Sequence, residues 1–439
     1  MEFRFMADVR PLRGLRYAQD RVSNLARVVT PPYDIITPEA QARYYERDPY
    51  NIIRLELGKT TDHDNDLDNV YTRAAAYLSE WRNQGVLHME EQPCYYLYQQ
   101  LFTHTDQVYT RTSLLARVRL EPWSARVVLP HEHTMKKAKA DRLNLYRACA
   151  TNLSPIMSLF EDPQGRMRRL LATYAEHPQI QFQDEEGVEH RLHPIQDQQH
   201  IALIQDFFSE RQLYIADGHH RYETALAYRD ELKEQRKELH PDDAANFTLM
   251  SLIDVDDPGM LVLPTHRLLT NLAPTMQAQL TGEQLKRYFT VEALATRASK
   301  DVTTHLEKAG QEQPAFVILT NEQALLLRLT EQGRHYMQTS EHSEAWKRLD
   351  VAIAQRLLLE ETLGLRAEDM TAGTYVRYSH DADYVFTAVE KGEAQAALLL
   401  NSTPLRQVCE VAQADDRMPQ KSTYLYPKLI TGLVMNPLW

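Results

Sequence analysis

The stretch "YIADGHHRYETALAY", residues 214–228, holds two patterns end to end. Tyr214, Ile215 and Ala216 read as the end of a strand, and a long polar-faced helix follows from His219. Asp217, Gly218, His219, His220 and Arg221 stand at the junction. The first amides of a helix lack intrahelical acceptors and lie at the positive end of its dipole, so such a turn suits a phosphate. Gly218 lets ligand oxygens approach the backbone, His219 and His220 add donors, and Arg221 can grip a phosphate through two parallel bonds. Asp217 is out of place beside an anion unless a divalent cation bridges it to the phosphates. The plainer reading has Asp217 capping the helix beside two loop histidines. The five residue types together favour a functional turn.

Strand-like and helix-like runs alternate on both sides of this junction. "CYYLYQQLF" (94–102), "YTRTSLLARVRLEPW" (109–123), "NFTLMSLIDV" (246–255) and "LVLPTHRLL" (261–269) read as strands, and "RVVLPHEHT" as a strand that stops at Pro130. "KKAKADRLNLYRACA", "RMRRLLATYAE" (166–176) and "QHIALIQDFFSER" (199–211) read as helices. "RVVTPPYDIITPEA" is a rigid loop, because Pro31 and Pro32 hold an extended path before Tyr33 and Asp34. "NIIRLELG" (51–58) alternates like a strand around Arg54 and Glu56. Past a linker at 269–274, "PAFVILTN" and "QALLLRLT" form a strand pair and "EAWKRLDVAIAQRLLLEETLGL" an amphipathic helix. "ADYVFTAVEKGEAQAALLLNS" then reads as strand, turn and strand. The expected fold class is α/β to α+β. Three parts are expected: an N-terminal α+β part over 1–130, a central part over 131–270 carrying HEHT and DGHHR, and a C-terminal α/β domain over 271–439.

A second polar cluster is "LPHEHTMKKAKADR", residues 129–142. Glu132 lies between His131 and His133, where a carboxylate can serve as a general base. Lys136, Lys139 and Arg142 recur every third residue, so a helix would show them on one side as a candidate phosphate surface. A zinc protease helix would need HExxH, which is absent. His131 and His133 could still join His219 or His220 in a three-histidine zinc site. "TDHDNDLD" (61–68) has the look of a calcium loop but carries Arg73 where a bidentate glutamate belongs, and reads as a solvated loop. In "RMPQKSTYLYPKLITGLV" (417–434), Lys421 or Lys428 could reach an anionic substrate, or the segment could be a strand packed on the core.

Composition narrows the classes. The 439 residues exceed one ordinary core, and 43% apolar with 25% charged residues is ordinary for a soluble globular protein. A net charge of −12 argues against a protein that coats nucleic acid. Cys94, Cys149 and Cys409 form no CxxC spacing and read as buried thiols in a reducing cytoplasm. No run approaches the roughly 20 apolar residues of a membrane span, and "MEFRFMADVRPLRGLRY" lacks the apolar core of a signal peptide. The expected location is cytoplasmic.

"RGLRY", "PPYDII", "PHEHT", "ADGHHRYETAL", "LPTHR" and "MPQKSTYLYPKLITGL", in that order, resemble the motifs of the family catalogued as domain of unknown function 1015. The resemblance runs from about Pro11 to Leu433. Within it, "ADGHHR" is similar to the motif with which free-serine kinases hold nucleotide phosphates and magnesium. It implies a ParB/sulfiredoxin-like nucleotide-binding core with an added C-terminal α/β domain. Carried over by position, Asp217 is the magnesium-side acid and Gly218, His219, His220 and Arg221 are the phosphate cradle. The base role of Glu132 rests on "PHEHT" alone.

These residues meet the needs of phosphoryl transfer, which is mostly positioning and charge neutralisation. The expected activity is a small-molecule kinase that moves a phosphoryl group from ATP or ADP, with Mg2+, to the hydroxyl of serine or a similar metabolite. Its expected catalytic residues are Glu132, Asp217 and His220. Gly218, His219, His220, Arg221 and Lys136 are the expected nucleotide contacts. The alternatives are a nucleotide-binding regulatory module of ParB-like type and a metal-dependent hydrolase built on the histidines.

Overall fold

The runs on either side of residues 214–228 close onto one mixed sheet in the structure, a computed structural model that describes residues 6–134, 136–280, 283–371 and 373–439. Its strands are β1 (Tyr95–His104), β2 (Gln107–Arg119), β3 (Val128–Leu129), β4 (Ile156–Phe160), β5 (Ile180–Gln183), β6 (Glu189–Ile195), β7 (Leu213–Asp217) and β8 (Phe247–Asp254). They lie in the order β3-β7-β4-β8-β2-β1-β6-β5, and the short strand Val9–Arg10 adds antiparallel to β2. The β3–β7 and β4–β8 pairs are parallel and the others antiparallel. The polar turn between β1 and β2 is Thr105-Asp106, with both residues at positive φ (46° and 63°), the geometry a two-residue hairpin needs. β8, "FTLMSLID", is buried along its length, as a central strand covered on both faces must be.

Helices α1 (Lys136–Cys149), α2 (Gln198–Phe208) and α3 (His219–Arg236) flank this sheet. Ile201, Ile204, Phe207 and Phe208 form the buried face of α2, and Phe160 of β4 meets Phe208 edge-on at 5.0 Å. α1 packs beside α3 through Tyr146 and Tyr228, whose rings lie 5.8 Å apart, and through Arg147 and Glu231, 2.9 Å apart.

Contacts divide the chain into two compact units. The first holds the segments up to Pro130, Thr134–Leu261 and Pro427–Trp439, and the second holds His131–His133 and Val262–Tyr426. Strands expected in separate parts, 1–130 and 131–270, share one sheet, because β2 pairs with β8 and β3 with β7. In the second unit β9 (His266–Leu269), β10 (Phe289–Ala293), β11 (Ala315–Thr320), β12 (Ala324–Leu329), β13 (Val376–Ser379) and β14 (Ala396–Leu400) lie in the order β10-β12-β11-β14-β9-β13. All its pairs are antiparallel. The mixed α/β class expected from sequence holds.

Three local expectations change. Residues 51–58 hold a one-turn helix, Ile53–Glu56, rather than a strand. Asn51 Oδ1 accepts the Ile53 amide at 2.9 Å and starts the turn, which sends Glu56 inward. Ala382–Glu390 is a helix rather than a strand: Asp381 caps it by accepting the Tyr384 amide, and Val385, Phe386, Ala388 and Val389 form its buried face. The amphipathic run from Glu344 breaks into Glu344–Lys347 and Asp350–Ile353, then a π-helical turn over Ala354–Thr362.

Candidate functional site

β7 delivers the DGHHR motif through an irregularity. Its register against β4 shifts between Ile215, opposite Ser158, and Asp217, opposite Met157, so Ala216 is the extra residue just before the motif. Such bulges re-aim side chains beside binding sites. Gly218 follows at φ +100°, a conformation only glycine adopts at low cost. Any Cβ there would also lie 3.0 Å from the Arg221 guanidinium, which folds back over the turn. α3 begins without a side-chain cap. The amides of a helix start lack acceptors within the helix itself, which is the setting a phosphate cradle uses.

Asp217 sits between two cations. Lys428 Nζ donates to its Oδ1 at 2.7 Å, and Arg221 Nη2 to its Oδ2 at 2.7 Å. Burial alone would raise the Asp217 pKa, but the Lys428 and Arg221 charges, the Lys428 hydrogen bond and His219 hold it well below the ordinary carboxylate range. Arg221 also donates Nη1 to the Pro155 carbonyl at 2.5 Å and lies 3.4 Å from Ser154 Oγ. This arginine thus ties the turn to the loop before β4.

Lys428 comes from the segment that follows the second unit and is sewn back into the first. Arg111 Nη2 donates to the Pro427 carbonyl at 2.5 Å and Gln100 Nε2 to the Lys428 carbonyl at 3.1 Å. Thr431 donates its amide to the Thr30 carbonyl at 2.7 Å, and Asn436 Nδ2 donates to Asn152 Oδ1 at 2.7 Å.

A second group of charges surrounds Arg221. Burial works against its charge, yet Asp217, Asp34, Tyr33 and Glu56 together hold its pKa above the ordinary arginine value. Glu56 is buried against Arg142, 3.4 Å away, and burial raises its pKa while Arg142 and Arg221 oppose the rise. Arg142 lies 4.1 Å from the centre of the Tyr33 ring. Burial pushes the Tyr33 hydroxyl up to about 12, with Arg221 and Arg142 acting against it. "PPYDII" and the inward Glu56 therefore face the same turn as DGHHR.

His219 is buried and His220 half-buried on the first turn of α3. Asp217, Gly218, His219, His220 and Arg221 thus come together as their spacing requires. Glu132 is half-buried in the short segment grouped with the second unit, where the Met418 amide donates to the His131 carbonyl at 2.7 Å. The Lys136 side chain lies outside the described residues. Lys139 donates to Glu223 at 2.7 Å, and Arg142 pairs with Asp141 and Glu56, so these two cations neutralise carboxylates rather than form an open phosphate surface. Arg73 binds Asp64 and Asp68 across the 61–68 loop, which accounts for an arginine at the place of a calcium ligand. The Asp217 donor set does not fit a resident magnesium ion, since each of its oxygens meets a cation where the metal would have to sit. Among the described residues, no group of three or more His, Cys, Asp or Glu side chains is placed to hold a metal, and the three-histidine zinc expectation has no support there.

Fold and site together define a mixed α/β protein whose strand-to-helix turn is uncapped and bracketed by largely buried cations. The chain belongs to the family described as "Protein of unknown function (DUF1015)", which matches residues 9–352. No curated protein matches it. Among solved structures, a free serine kinase mutant in complex with AMP is 12% identical with a TM-score of 0.35, covering 68% of this chain and 83% of its own. SbnI with C-terminal truncation from Staphylococcus aureus is 12% identical with a TM-score of 0.37, covering 74% and 87%. A conserved hypothetical protein from Pyrococcus furiosus is 12% identical with a TM-score of 0.34, covering 69% and 89%. No helix among the described residues is long and apolar enough to cross a membrane.

Proposed function

We propose that the turn at Asp217–Arg221 binds the phosphates of ATP or ADP and that the protein is a small-molecule kinase acting on the hydroxyl of serine or a similar metabolite. The observation that carries this reading is the setting of the turn: an uncapped helix start with two largely buried cations, Lys428 and Arg221, around one carboxylate. An arriving phosphate takes the helix amides and His220. It also competes with Asp217 for Lys428, so a cation already in place is handed to the ligand. Arg221 mainly fixes the shape of the turn through the Pro155 carbonyl and Asp217. Magnesium, in this reading, arrives with the nucleotide as part of the substrate. The motif resemblance of "ADGHHR" to the free-serine kinases supports the same choice of donor. Glu132 is the proposed base, on its setting between two histidines.

The test is calorimetric titration with ADP and ATP, followed by phosphorus NMR of mixtures containing magnesium nucleotide and L-serine. Binding with formation of a phosphate ester is the expected result. A protein that turns over no nucleotide across a panel of amino acids and hydroxy acids refutes the kinase. Tight nucleotide binding without turnover would instead support a nucleotide-controlled binding module. The commitment of Lys428 and Arg221 to Asp217 also suits that reading, because occupancy would re-pair them.

A further inference from the structure

The second unit contains a cavity of about 510 Å³ lined by the ends of the helices Ser299–Glu312 and Glu331–Met337 and by the loop Asn401–Pro404. Leu329, Met337 and Ile353 give it an apolar wall, and Asp350 lines it from the start of the helix Asp350–Ile353. The cations on the cavity already have partners. Lys347 lies 2.9 Å from Glu344, Arg334 lies 3.2 Å from Glu331, and Arg348 donates to the Glu344 carbonyl at 3.2 Å. Glu312, the other acid on the lining, is exposed to water. The half-buried Asp350 carboxyl has no hydrogen-bond or ion-pair partner among the described residues. An acid at a helix start answers the helix dipole, but that does not explain a carboxyl set against an apolar wall without a donor. Withdrawing an unpaired carboxylate from water is costly, and a ligand that brings a positive charge relieves that cost.

We propose that this cavity binds a small organic ammonium compound whose amine pairs with Asp350. The volume lies in the range of small-molecule sites, about 300–1,000 Å³. Burial pushes the Asp350 carboxyl up to about 7, so an ammonium ligand competes with a proton near neutrality. Arg334, Lys347, Arg348 and Glu312 are the other charged groups on the cavity.

The test is thermal-shift titration of the full chain with putrescine, L-lysine and ethanolamine, with succinate as the anionic control. At least one amine is expected to raise the melting temperature saturably at pH 8, with apparent affinity about tenfold weaker at pH 6, as protonation of one group requires. Asp350→Asn, which keeps the shape of the side chain, is expected to abolish that shift. Ser402→Trp, which fills the cavity wall and leaves Asp350 intact, is expected to do the same. The proposal is overturned if no amine shifts the wild type, if succinate shifts it instead, or if either variant responds as the wild type does.

Discussion

Replacing Lys428 by Met tests whether the segment that returns from the second unit belongs to the site. The substitution removes the ammonium 2.7 Å from Asp217 Oδ1 and leaves Arg221 on the other oxygen. The side chains of Lys428, Asp217 and Arg221 are 13%, 21% and 8% exposed, so the carboxylate is largely cut off from water. Breaking a fully buried pair costs about 3–5 kcal/mol, whereas an exposed pair is worth about 0–1 kcal/mol. With Arg221 still in place, a loss of about 2 kcal/mol is expected for Lys428→Met, between those limits. Native-state hydrogen exchange at the amides of β7 and α3 reads the loss in the unit concerned. A cycle with Asp217→Asn isolates the pair: independent sites add within about 0.5 kcal/mol. A coupling no larger than that would refute the reasoning. The pH dependence has a definite sign. The folded pKa of Asp217 lies below its unfolded value, so the pair stabilises fully above the ordinary value of 3.8 and loses its effect only as pH falls through the lower folded pKa. The coupling should therefore be flat from neutrality down to mildly acid pH.

Arg221→Ala should weaken nucleotide binding at least about tenfold in calorimetric titration, whether it touches phosphate or only shapes the turn, since a charged hydrogen bond is worth about 1.5–3 kcal/mol. Unchanged affinity would remove it from the site. Gly218→Ala should destabilise the first unit by about 1–2 kcal/mol, because alanine resists the left-handed backbone and its methyl meets the Arg221 guanidinium; an unchanged urea midpoint would contradict this. Glu132→Gln should spare nucleotide affinity and lower turnover by about 10²–10⁴-fold, the usual contribution of a general base. Full activity in that variant would place the base elsewhere.

Local signals made the DGHHR turn legible. A strand, a glycine and a helix with charged residues between them need no distant contact to be recognised, and the structure brings those five residues together. Lys428 was visible only as one of two candidate lysines. Its role depends on a contact across 211 residues, which no local pattern encodes. Glu56 was hidden for a different reason: the alternation of residues 51–58 imitates a strand, while Asn51 starts a helical turn that sends the glutamate inward. Ala382–Glu390 imitates a strand because its valines and phenylalanine favour strands, and the Asp381 cap outweighs that preference. The regular spacing of Lys139 and Arg142 is legible, but Glu223 and Glu56, which they meet, lie on other elements.

The return of Pro427–Trp439 to the first unit sets an order of events at the ribosome. The sheet, α1 and α3 emerge long before Lys428 is made, so Asp217 must wait with Arg221 alone while the second unit is synthesised. A nascent chain that stops short of this segment lacks the lysine and the contacts around Asn152 and Thr30. Contacts this distant in sequence form slowly. The cation pair around Asp217 is thus assembled late, which ties its readiness to prior production of the second unit.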